Sequence, residues 1–155
     1  LGLAEAFCRD SRCVVLLGDN IFEDSLTRLL APASQHPADA WIAVKRVPDP
    51  GRYGVAEMKG QRIVGIEEKP HQPKSDFAVA GIYVYPPDVF KAIKTLKPSG
   101  RGELEITDVN VHYLQTGRMG YSVLEGYWTD AGTPDSLALA NQLVHEIKLP
   151  AHAAA

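Results

Sequence analysis

Apolar positions fall into two kinds of block that alternate along the chain. Runs of apolar and β-branched residues at Cys13–Leu17, Ala40–Val47, Phe77–Tyr85 and Met119–Leu124 read as strands, and so do the shorter stretches Tyr53–Met58 and Arg62–Glu68. Val14–Leu17 carries no polar interruption, so the pattern predicts a strand buried on both faces, as in a parallel sheet. Other blocks have helical spacing. Phe22, Leu26, Leu29 and Leu30 predict a helix over Glu23–Leu30 that Pro32 and Pro37 end, and Leu1–Phe7 is compatible with a short helix. Val89, Phe90, Ile93 and Leu96 follow the opening Pro86-Pro87-Asp88; Ile106, Val109, Tyr113 and Leu114 mark a helix over Leu104–Leu114. Leu137, Ala140, Val144 and Ile147 follow Thr133-Pro134, a good cap and first-turn pair, and Pro150 ends that helix. Strands alternating with helices predict one α/β domain with a mixed sheet over residues 1–150, and residues 151–155 as a disordered tail.

Composition narrows the partners. The chain has 155 residues, 45% hydrophobic and 23% charged, enough for one core and ordinary for a globular domain. A formal charge of −3, with no run of lysine or arginine, gives no groove for nucleic acid. No apolar segment is long enough to span a bilayer, so no membrane partner is expected. Cys8 and Cys13 lack metal-ligand spacing and read as reduced cytoplasmic thiols; His36, His71, His112, His145 and His152 form no ligand pair.

The candidate chemistry is phosphate, sugar and divalent metal. Asp19 follows a buried run and a glycine, at the carboxyl end of a strand where open α/β sheets bind ligands. It could equally cap an Asx turn. Asp130 also closes an aromatic run at a loop, and its alternative is a polar neighbour of the Thr133 cap. If the two loops open on one sheet edge, a pair of hard oxygen donors with room for water and phosphate suits Mg²⁺. Glu68 and Lys69, in Glu67-Glu68-Lys69-Pro70, offer an acceptor for sugar hydroxyls and a cation for phosphate. Arg101, between Gly100 and Gly102 ahead of a helix, could grip phosphate, and Tyr53-Gly54 would let backbone approach a ligand. Each of these also reads as ordinary surface or turn when taken alone.

Taken in order, Leu17-Gly18-Asp19-Asn20-Ile21-Phe22, Tyr53-Gly54-Val55, Glu67-Glu68-Lys69-Pro70, Ala80-Gly81-Ile82-Tyr83, Arg101-Gly102-Glu103-Leu104-Glu105-Ile106-Thr107-Asp108 and Trp128-Thr129-Asp130-Ala131-Gly132-Thr133 resemble the sugar-1-phosphate nucleotidyltransferases, most closely their thymidylyl-transferring branch. The resemblance runs through about Val144. It implies a Rossmann-like nucleotidyltransferase fold with a mixed, mostly parallel central sheet. The implied partners are a nucleoside triphosphate and a sugar 1-phosphate, with dTMP passing from dTTP to glucose 1-phosphate, and the family is often homo-oligomeric. By that resemblance Asp19 and Asp130 hold Mg²⁺, and Lys69 and Arg101 hold the sugar phosphate. Glu68 holds sugar hydroxyls and Tyr53 and Gly54 lie against the sugar. Leu17, Val79 and Trp128 wall the pocket, and Gly2 lies near the nucleotide base. Family members also carry a Gly-rich triphosphate loop of the form GGxGTRLxPxT. The 155 residues contain no such segment, so the expected fold is incomplete at its N-terminal side, inactive by itself, with the outer edge of Val14–Leu17 unpaired. The alternatives are a non-catalytic sugar-phosphate-binding relative and a structural domain with vestigial loops.

Overall fold

The computed structural model describes residues 1–100 and 102–146. Arg101, Pro150 and the 151–155 tail, on which expectations were placed above, lie outside the described residues.

The longest strand organises the molecule. Phe77–Tyr85 (β6) alternates its side chains between two cores. Tyr83 and Tyr85 face one cluster, with Val89 and Phe90 of the helix Val89–Thr95 (α3) and Val109 and Tyr113 of the helix Ile106–Gln115 (α4). Ala78, Ala80 and Ile82 face the other, with Leu29 of the helix Leu26–Ser34 (α2) and with Leu124 and Trp128. Helices therefore cover both faces of the sheet, the layered α/β arrangement expected from the alternation.

One edge of β6 pairs antiparallel with Ala40–Arg46 (β3), which in turn pairs parallel with Met119–Val123 (β7). The other edge is shared end to end. Cys13–Leu16 (β1) pairs with Ile82–Tyr85, and Gly54–Lys59 (β4) pairs at Ala78 before continuing into the hairpin with Arg62–Glu68 (β5). The C-terminal end of β1 thus meets the N-terminal end of β4 over the middle of β6. There the β3 register slips between Ile42, opposite Tyr83, and Ala43, opposite Ala80, leaving Gly81 and Ile82 with no partner on β3. Bulges of this kind bend a strand locally and recur beside binding sites.

A separate ribbon completes the fold. Asn20–Phe22 (β2) pairs antiparallel with Trp128–Asp130 (β8), placing Asn20 opposite Asp130. The helix Pro134–Glu146 (α5) follows, capped reciprocally by Thr133 and Ser136, whose backbone amides each donate to the other's hydroxyl. At the N-terminus a 3₁₀ turn, Gly2–Ala4, leads into the single-turn helix Glu5–Cys8 (α1).

Three expectations are corrected. The sheet is mixed, but among the described strands only β3 and β7 run parallel, so it is not mostly parallel. Val14–Leu17 is not buried on both faces: β1 pairs antiparallel and on one side only among the described strands, and Val14 and Leu16 are 52% and 46% exposed. An unbroken apolar run reports affinity for a sheet, not which side of the strand is covered. Pro32 does not end α2 but sits inside its last turn, where only one backbone hydrogen bond is forfeited.

A polar bracket ties α3 to α4 and the sheet. Asp88 accepts from the Tyr113 hydroxyl at 2.7 Å and from Arg118 Nη1 at 2.7 Å. Burial raises the Asp88 carboxyl, but these two donors more than offset it and hold it below its ordinary value. A carboxylate with a depressed folded pKa stabilises the fold above its unfolded value and loses that contribution as pH falls through the folded one. Asp88→Asn should therefore cost about 1 kcal/mol at neutral pH, the scale of a solvent-screened pair. Urea unfolding should show the difference from the parent vanishing below the ordinary aspartate range.

Candidate functional site

The gap between the end of β1 and the start of β4 is the site. Its floor is Val79, Gly81 and Tyr83 of β6; Leu17, Asp19 and Asn20 arrive from β1, and Tyr53 and Gly54 open β4. Glu68 and Lys69 close β5, Thr107 comes from α4, and Trp128 and Asp130 come from β8. Together they line a pocket of about 190 Å³.

Asn20 is the hub of this arrangement. Its side-chain oxygen accepts from the Gly81 amide at 3.1 Å and from Trp128 Nε1 at 2.7 Å, while its Nδ2 donates to Asp19 Oδ1 at 2.8 Å. One amide thus fixes the floor, the indole wall and a carboxylate together. The Asp19 carbonyl accepts from the Ala131 amide at 2.7 Å, which stitches the two acid-bearing loops beyond the β2–β8 ladder. Asp130 Oδ1 faces the Tyr53 hydroxyl at 3.3 Å and Arg52 Nη2 at 3.9 Å. The Oδ2 atoms of Asp19 and Asp130 each lie 3.5 Å from the point that a Cβ on Gly132 would occupy. The two carboxylates, distant in sequence, therefore face one common position.

The Glu68 side of the pocket is equally specific. Glu68 Oε2 accepts from the Thr107 hydroxyl at 2.5 Å beside Gly54, where an added Cβ would stand 3.2 Å from that same oxygen. Lys69 adopts a left-handed backbone with φ of 42°, held by its amide donating to the Tyr53 carbonyl at 3.0 Å. Such a conformation is costly for a non-glycine residue, and it falls where the chain leaves β5 at an exposed lysine. Burial, and then the nearby Asp130 carboxylate, raise the Tyr53 phenol. Burial, and then Glu68 and Asp19, raise the Tyr83 phenol. Both hydroxyls remain neutral donors at pH 7. Tyr53 also packs edge-on against Trp128, with ring centroids 5.0 Å apart.

Of the residues singled out in the sequence, Asp19, Asp130, Glu68, Lys69, Tyr53, Gly54, Leu17, Val79 and Trp128 share this one pocket. Gly2 does not. It lines an adjoining apolar pocket of about 520 Å³, which shares Leu17 and Ile106 with the first. Asn20, Arg52, Gly81, Tyr83, Ile106 and Thr107 also line the pocket without a site signal of their own in the sequence; all but Arg52 stand inside the motifs given above. Among the described residues no three His, Cys, Asp or Glu side chains gather as a metal cage. The donor set is instead a pair of carboxylates with an open side, which fits Mg²⁺ completed by water and phosphate oxygens.

Residues 1–147 match the nucleotidyl transferase family, and the chain is a member of it. Its relatives are more particular. The chain is 42% identical to a glucose-1-phosphate thymidylyltransferase of Neisseria meningitidis, covering 95% of this chain and 54% of that one. It is 40% identical to the low-salt glycan biosynthesis nucleotidyltransferase Agl11 of Haloferax volcanii, over 95% of this chain and 42% of that one. Among solved structures, a Bacillus anthracis protein assigned as a glucose-1-phosphate thymidylyltransferase, in complex with a sucrose, is 48% identical with a TM-score of 0.89. It is matched over 96% of this chain and 61% of its own. A UDP-glucose pyrophosphorylase complexed with UDP-glucose, 23% identical with a TM-score of 0.83, shares the fold. The chain thus spans about half the length of the curated relatives it matches.

Proposed function

We propose that this chain is the sugar-phosphate and metal half of a sugar-1-phosphate nucleotidyltransferase, moving dTMP from dTTP to glucose 1-phosphate with release of pyrophosphate. The observation that carries the reading is the convergence of Asp19 and Asp130 in the pocket that Glu68 and Lys69 also line. The name of the Neisseria meningitidis relative, 42% identical, supports the choice of nucleotide and sugar.

In this reaction a phosphate oxygen of the sugar 1-phosphate attacks the α-phosphorus, and the bond from that phosphorus to the bridging oxygen of pyrophosphate breaks. The attacking oxygen is already an anion, so no side chain need remove a proton. The work is positioning and relief of charge repulsion. Glu68, oriented by Thr107, accepts from sugar hydroxyls. Tyr53, Gly54 and Trp128 limit where the ring can lie, and Lys69, with Arg101, neutralises the incoming phosphate. Mg²⁺ on Asp19 and Asp130 would supply further neutralisation of phosphate charge. Free thiols at Cys8 and Cys13 suit a reducing, cytoplasmic setting.

Isothermal titration of the 155-residue chain tests the reading. Glucose 1-phosphate should bind, and Lys69→Ala should weaken it by about 2 kcal/mol, the scale of one charge-assisted contact. Pyrophosphate release should be undetectable from these residues alone and should appear once a Gly-rich triphosphate loop is supplied on the same polypeptide. Binding that persists without turnover in that longer protein would favour a non-catalytic sugar-phosphate-binding relative. No binding of glucose 1-phosphate at all would sink both.

A further inference from the structure

We infer that Lys45 is a positioning residue for Trp128 and Asp130, acting through the loop that precedes β8. The Lys45 ammonium, at the end of β3, donates to three backbone carbonyls: Leu124 at 3.2 Å, Glu125 at 3.0 Å and Gly126 at 2.7 Å. All three of its protons are thereby used on one short segment. The same segment is held from its amide side. The Gly126 amide donates to Asp24 Oδ2 at 2.8 Å, and the buried Asp24 is tied through its other oxygen to Arg28.

Freezing a lysine costs side-chain entropy and partial loss of water, so the grip needs a return. The architecture supplies one. The β2–β8 ribbon is a sheet of its own, three residues to a strand, and an isolated two-stranded ribbon is marginal in water. At its Asp19 end the ribbon is tied to β6 through Asn20 and Gly81. At its other end the tie to the main sheet runs through β3, by the Leu124 amide on the Val44 carbonyl at 2.9 Å and by Lys45. Lys45 thus sets how far β8 stands from the β6 floor, and with it the position of the indole wall and of the Asp130 carboxylate. The functional weight of this rests on the sugar-phosphate and metal reading given above; the geometry of the tie does not.

Fluorine NMR of the chain labelled with fluorotryptophan separates the two. The chain has two tryptophans, of which Trp41 is anchored on β7 by donating to the Ser122 hydroxyl at 2.8 Å. Lys45→Met, which keeps the stem and removes the donors, should shift the Trp128 resonance and leave that of Trp41 in place. It should also weaken Mn²⁺ binding, read by electron paramagnetic resonance, by about tenfold, the usual cost of disturbing a residue behind a ligand. Lys45→Arg should restore both. If Lys45→Met does not fold, Asp24→Ala, which removes the acceptor of the Gly126 amide, loosens the same segment from its amide side and should give the same two changes. An unmoved Trp128 resonance in the folded variant overturns the inference. Should the parent chain bind no Mn²⁺, the functional reading fails, while the Trp128 resonance still decides whether Lys45 positions the pocket wall.

Discussion

Asp130→Asn and Asp19→Asn, each made in a polypeptide that also carries the triphosphate loop, should lower kcat by about a thousandfold, the upper range for removing one preorganised electrostatic partner. Both changes keep shape and remove charge. The amide replacing the Asp130 carboxylate would still present an oxygen to the Tyr53 hydroxyl, and the amide replacing that of Asp19 would still accept from Asn20 Nδ2. The hydrogen bonds seen at each carboxylate therefore survive. Melting temperature should accordingly move by no more than a few degrees. What is lost is one of the two anionic oxygens that face the Gly132 position together. The signature is therefore a higher Mg²⁺ requirement with little change in the KM for sugar phosphate. Steady-state pyrophosphate release across a Mg²⁺ series reads both, and a variant with the parent's Mg²⁺ dependence would remove that aspartate from the metal site.

Gly81→Ala should be nearly as damaging, through a different route. A Cβ at Gly81 would lie 2.7 Å from Asn20 Nδ2 and 2.8 Å from the Leu17 Cβ and Cδ1. Asn20 cannot retreat cheaply, because it holds Trp128 and Asp19 as well as the Gly81 amide. The methyl group should cost about 1–3 kcal/mol of stability as overpacking, and about a hundredfold in kcat/KM as the wall and the carboxylate shift. Gly18, adjacent to Asp19 in the same motif, has nothing within 4 Å of its would-be Cβ. Gly18→Ala should therefore unfold within about 0.5 kcal/mol of the parent. Equal destabilisation by the two alanines in paired urea titrations would contradict the packing account.

The contrast between these two glycines shows where sequence reading stops. Both stand in quoted motifs, yet only at Gly81 would a side chain meet Asn20 and Leu17. β3 and β6 were legible because seven and nine residues of apolar and β-branched character leave few alternatives. β2 and β8 were not, since three residues set no period, and a ladder between chain segments so far apart leaves no local mark. That ribbon is nonetheless what brings Asp19 to Asp130. Asp19, Glu68, Lys69 and Asp130 could be singled out because charge at the end of an apolar or aromatic run, with glycine or proline within two residues, is visible in a string of letters. Asn20, Lys45 and Thr107 act by holding other groups, and a holder looks like any polar residue until its partners are placed.

The end-to-end sharing of one β6 edge by β1 and β4 makes that strand a ruler. From Ala78, the last residue paired to β4, to Ile82, the first paired to β1, the chain is extended and spans about 13 Å at the usual strand rise. Loops around the pocket can lengthen, shorten or change their side chains, but none of that alters the distance along this floor. Under the proposed function, the size of sugar accepted should then be set by the side chains at 79, 81 and 83 and by the walls facing them. A larger ring cannot be admitted by sliding β1 away from β4, because each is fixed in register to the same nine residues.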